Sequence, residues 1–265
     1  MARSFALAGT TASRALIVAL GLAIVGGTAA VAAEPDITGL WDYQGRGRGA
    51  ARPEGPPVTP ALAAQIKMQT AARDKNDGVR GVGNMLCIPT GFPQMMMWKS
   101  PIEILESPGR VSVLSEHDPG NDEPRTIYLN RAMPAAPDPS WNGYSIGKWE
   151  KGDLVVTTIG LNDRGNLPGG VPRTPTAKIV EHFHLLDGGK TLTDTLTITD
   201  QAVLTAPYSV TLRYTRMPID SERYEAVCEP DLDALKLVDL KKASQYDDEA
   251  ARLLDPNQQY NPGSR

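Results

Sequence analysis

Histidine and cysteine are the scarce residues here, with 3 and 2 copies in 265 positions. So small a stock excludes a multi-metal enzyme, a haem protein and an iron–sulfur carrier, each of which needs several such ligands at one centre. A basic excess is also missing: the formal net charge is -4, which argues against nucleic acid as a partner. There is no internal repeat, and the composition fits neither a collagen, a coiled coil nor a disordered chain. No dinucleotide or phosphate-binding loop is found. Gly45-Arg46-Gly47-Arg48-Gly49 lacks the strand–turn–helix setting that such a loop needs, so the expected chemistry uses no cofactor.

What is present suits one globular domain with a core of its own: 41% hydrophobic residues, 25 glycines and 22 prolines. Arg3 and Arg14 are the only charges before Glu34, and ALIVALGLAIVGGTAAVAA follows them. Ala30-Val31-Ala32 fits the small-x-small cleavage pattern. Residues 1–32 are therefore expected to be a signal peptide, leaving no membrane span and sending the protein to the periplasm or outside the cell. In an oxidising compartment Cys87 and Cys228 have only each other, and read as one disulfide.

Residues 33–246 are expected to form one β-barrel domain, with 247–265 as a polar tail. Residues 44–58 are glycine, proline and arginine with little to bury, hence a flexible loop. Thr59-Pro60 supplies a helix cap and first turn, so 59–77 reads as an inserted helix with Leu62, Ile66 and Met68 as its stripe. Beyond Pro101, short alternating segments are separated by Ser107-Pro108-Gly109, Lys151-Gly152-Asp153 and Asp187-Gly188-Gly189. The fold expected is all-β: an antiparallel up-and-down barrel of about 8–9 strands, which closes to bury its edges. A C-terminal helix is expected over 231–242, where Leu232, Leu235, Leu237 and Leu240 recur.

Gly39-Leu40-Trp41 resembles the G-x-W that opens the first strand of lipocalins. That resemblance implies calycin-like architecture with Arg213 or Arg216 packed over Trp41; the second lipocalin motif, T-D-Y, is absent. A longer resemblance rests on LCIPTGFPQMM, PIEILESPGRVSVLSE, RTIYLN and DPSWNGYSIGKWEKGDLVVTTIGLNDR, followed by VEHF and YEAVCE. These are similar to a family of exported, mostly uncharacterised bacterial proteins with a W-N-G-x-S-x-G-x-W-E-x-G-D-x-L-V-V-type core. That family implies fold and compartment but no reaction. Tyr144 stands where its members usually carry histidine, and Arg173-Thr174 replaces a usual His-Ser pair.

The candidate chemistry follows from strand alternation. In KIVEHFHLL (178–186), Glu181 shares a face with Ile179, Phe183 and Leu185, while His182 and His184 face the other way. A carboxylate on the apolar face is expected to be buried and raised in pKa, as a general acid or base or as the ion-pair partner of Arg125 or Arg213. Glu181, with Tyr144 and Asp163, is the catalytic candidate set. His182-x-His184 would need a third ligand, for which His117 or Glu116 is the only obvious source, and no metal is assigned. Gly143-Tyr144-Ser145-Ile146-Gly147 has the G-x-S-x-G spelling but runs into a strand, against a hydrolase elbow. The run Phe92 to Trp98 offers a soft apolar surface. Met96, Trp98, Trp141, Asn142, Asn162 and Arg125 are the substrate-binding candidates. The leading expectation is an exported lyase or isomerase acting on a small apolar molecule, aromatic or terpenoid-like. The alternative is a non-catalytic carrier of such a ligand.

Overall fold

The computed structural model describes residues 34–45, 55–75, 82–98, 100–116, 124–224, 228–245 and 247–255. The expected signal peptide and most of the loop expected over 44–58 lie outside the described residues. In chain order the elements are β1 (Gly39–Gly45), α1 (Pro60–Asp74), α2 (Val82–Met85), β2 (Ile102–Ser107), β3 (Arg110–Ser115), β4 (Arg125–Leu129), β5 (Tyr144–Glu150) and β6 (Asp153–Ile159). They continue with β7 (Asn166–Leu167), β8 (Val171–Pro172), β9 (Lys178–Leu186), β10 (Thr191–Thr199), β11 (Tyr208–Arg216), α3 (Leu232–Lys236), α4 (Leu240–Ala243) and α5 (Asp248–Leu254).

Nine strands close a barrel in the order β1-β11-β10-β9-β6-β5-β4-β3-β2, and β7 with β8 makes a separate ribbon. Alternation sorts the two faces. Ile179, Phe183, Leu192, Leu196, Ile198, Leu212 and Tyr214 are buried in the core, and the threonines between the β10 residues lie outside it. The expected all-antiparallel order fails at one place: β4 and β5 are parallel, with Ile127 opposite Ser145. A parallel pair needs a long crossover, supplied here by residues 130–143. Pro134, Pro137 and Pro139 lack the N–H groups that would pair that stretch into a hairpin.

Trp41 is fully buried and donates its indole N–H to Ile37 O at 2.9 Å. Arg216, not Arg213, lies over its ring at 4.2 Å and donates to Gly189 O and Asp36 O, tying β1 to the β10–β11 end. Arg213 points outward to Asp187 at 3.4 Å. On α1, Leu62 and Ile66 pack on the barrel core, whereas Met68 is 67% exposed because six residues' rotation carries it to the far side.

The C-terminal segment departs from expectation twice. The single helix over 231–242 is two short ones, because the Asp239 side chain caps a new start by accepting from Lys242 N at 3.2 Å. Leu237 at the break is 88% exposed. The supposed polar tail from 247 includes α5, whose Ala250 is fully buried. Val82, Ala243 and Ala250 form a satellite core with Leu86, Leu235, Val238, Leu240 and Leu253. Cys87 and Cys228 form the disulfide, 5.8 Å apart at Cα and 141 positions apart in sequence, pinning this core to α2. Closing a loop of that length contributes about 4–5 kcal/mol in the chain-entropy treatment, an upper figure.

Candidate functional site

The barrel core holds a charged cluster. Glu181 sits on β9 between Val156 of β6 and Leu196 of β10, and Arg125 reaches it from β4. The guanidinium is bidentate: Nη1 donates to Glu181 Oε1 at 2.7 Å, and Nη2 donates to Oε2. Nη2 also faces Thr158 Oγ1 at 3.1 Å and Ser145 Oγ at 3.3 Å, and the two hydroxyls meet at 2.8 Å. The Phe92 ring covers the guanidinium at 3.7 Å. All these polar side chains are wholly buried.

Asp194, fully buried on β10, was not expected. Neither of its oxygens has a hydrogen-bond donor among the described residues. Burial pushes its carboxyl well above the ordinary carboxylate range; the Glu181 charge adds to the rise, and Arg125 opposes it. Tyr214, also buried, is raised by burial and then by Asp194, and donates to Met96 O at 2.6 Å.

The three catalytic candidates are not assembled. Tyr144 adjoins the inward Ser145 on the same strand, so it faces outward, where it stacks on Tyr128 at 5.0 Å. Asp163 is a loop residue, 65% exposed and 3.8 Å from Arg252. Glu181 alone is inside. Alternation separates Tyr144 from Glu181, and the loop position separates Asp163 from both.

The binding candidates divide likewise. Arg125 belongs to the buried cluster, and Met96 is buried in the core. Asn162 holds Arg173: its carbonyl accepts from Nε at 2.8 Å and its side-chain oxygen from Nη2 at 2.5 Å. Arg173 also donates to Phe92 O, so this buried arginine joins the loops before β2 and after β6. Asn142 keeps a buried, unpartnered Oδ1 among the described residues. Trp141 lies under Arg164 at 5.0 Å. On the outer face, Asp153 takes the His184 imidazole at 2.5 Å and lies 3.9 Å from that of His182. Among the described residues no three His, Cys, Asp or Glu side chains are arranged to hold a metal ion.

Trp98 reaches a cleft of about 530 Å³, lined by α2, the segment from Ile88 to Trp98, and Arg164 to Asn166. None of the buried cluster lines it. Met97, Ile88 and Pro89 give apolar wall; Asn84, Gln94 and Asn166 give amides. The indole N–H of Trp98 donates to Thr90 Oγ1 at 3.2 Å, which orients the ring. Comparison with protein-family models, curated proteins and solved structures finds no match to this chain.

Proposed function

We propose that the protein is an exported, non-catalytic carrier that holds a small molecule with a flat apolar part in the cleft beside Trp98. The observation that carries this reading is the position of the Met97–Trp98 wall, in an open cleft of about 530 Å³. A cleft of that size, whose wall mixes apolar side chains with amides and other polar groups, offers room for a small molecule and several directed contacts. The lyase or isomerase reading falls behind it. That chemistry needs substrate at Glu181, whose side chain is wholly buried and has both oxygens engaged by Arg125. The disulfide supports export, because such bonds persist in oxidising compartments.

The test is incubation of the purified mature protein with a panel of apolar metabolites, with bound species identified by native mass spectrometry. A carrier retains one and returns it chemically unchanged, and Trp98→Ala weakens retention about tenfold or more. Product formation abolished in a folded Glu181→Gln protein contradicts the reading.

A further inference from the structure

We propose that His182 and His184, on the outer wall of the barrel, chelate one divalent transition-metal ion of the copper(II) or nickel(II) type. The site is separate from the cleft and independent of the carrier reading. The two residues are alternate positions of β9, whose neighbours Glu181 and Phe183 are buried, so both rings leave the same outer face. Each side chain is about half exposed, at 48% and 49%. Alternate strand residues stand about 6.7 Å apart at Cα, and metal–imidazole bonds are about 2 Å long. An ion above the strand therefore lies within reach of both rings.

Asp153, the first residue of β6, distinguishes this pair from two exposed histidines. Its Oδ1 is 2.5 Å from Nδ1 of His184, and its Oδ2 is 3.9 Å from Nδ1 of His182. One carboxylate thus faces the same nitrogen of both rings. Metal-binding histidines are commonly oriented this way. The carboxylate takes the N–H of one ring nitrogen, which fixes the tautomer and leaves the lone pair of the other, Nε2, to the ion. His184 already has this contact, and His182 gains it by a shift of about 1 Å.

The surroundings suit a cation. In register across β10 the rings face Thr193 and Thr195, and across β6 His182 faces Val155. Lys148 and Arg213 stand one strand farther off and are paired to Glu150 and Asp187. Two imidazoles fall short of a closed structural zinc site, which takes four protein ligands. Copper(II) and nickel(II) accept a tetragonal shell of nitrogen and oxygen, here two imidazoles and water, and copper(II) leads the affinity order.

The experiment titrates the mature protein with copper(II), nickel(II) and zinc(II) by calorimetry and records the electron paramagnetic resonance of the copper form. One ion per chain is expected, tightest for copper(II), with hyperfine splitting from two imidazole nitrogens. His182→Gln and His184→Gln should each weaken copper binding about 100-fold, the gain that joining two binding groups gives. Asp153→Asn should weaken it about 10–100-fold while both nitrogens stay on the ion. His117, the third histidine of the chain, lies outside the described residues, and His117→Gln should change nothing. Melting curves check that each variant keeps its fold. Copper binding that survives the double variant His182→Gln/His184→Gln overturns the proposal, as does its loss in His117→Gln. Half an ion per chain would put the metal between two copies and overturn the chelate. Unchanged affinity in Asp153→Asn overturns it too, because the carboxylate then orients neither ring.

Discussion

The barrel core and the cleft present similar groups in opposite circumstances. Each sets an arginine beside an aromatic ring: Arg125 under Phe92 in the core, Arg164 over Trp141 at the cleft. Segment 88–98 is the wall between them. Its Phe92, Met95 and Met96 are buried with the core, while Ile88, Met97 and Trp98 line the cleft. In the core the guanidinium already has a bidentate carboxylate and no exposed surface. At the cleft it borders open volume. Accessibility therefore separates the two regions: the cleft wall borders open volume, and the core pair is sealed from it. A carboxylate on an apolar strand face marks a buried ion pair as readily as a general base, and both perturb pKa values.

The sharpest way to break this comparison is to remove the core arginine. Arg125→Met leaves Glu181 without its counter-charge in a dry interior, and should destabilise the fold by about 3–5 kcal/mol in urea titrations. A loss below about 1 kcal/mol would show that water reaches the cluster, which would then resemble the cleft.

A smaller effect concerns pH. The native carboxyl of Asp194 is raised, against about 3.9 for an unfolded aspartate, so the native state holds a proton that the unfolded state releases. Its contribution is complete below about pH 4 and is lost as pH rises towards the native value, at about 1.4 kcal/mol per unit. Asp194→Asn, which cannot titrate, should flatten the fall in stability as pH rises above about 4 relative to wild type. Parallel stability profiles for the two proteins would mean that Asp194 carries no bound proton.

Much of the barrel was legible because each strand has a period of two and a turn signal at its end. The same period put Glu181 inside and His182 and His184 outside, as found. Applied to TLTDTLTIT it also puts Asp194 among Leu192, Leu196 and Ile198, so that residue was readable and overlooked. Alternation likewise separates Arg125, in phase with Ile127 and Leu129, from Arg213, in phase with outward residues of β11. The parallel β4–β5 pair was hidden because its crossover contains no helix. The cleft was hidden for a different reason. Its walls come from segments far apart in sequence, at 83–98 and 164–166, which share no periodicity; among the binding candidates Trp98 alone lines it, marked by its methionine-rich neighbourhood. Tyr144 and Asp163 do not join Glu181, because proximity in sequence to a strand end says nothing about which side of the wall a side chain takes.

The most direct test of the separation between core and cleft is ligand affinity in Glu181→Gln beside Trp98→Ala, measured by calorimetry below the melting temperature of each folded protein. If the two regions are independent, Glu181→Gln melts lower yet binds the wild-type ligand within about twofold, as distant sites do. Trp98→Ala keeps its fold and loses the ligand. A folded Glu181→Gln protein that no longer binds, with Trp98→Ala binding normally, would place the functional site in the barrel core and contradict the carrier.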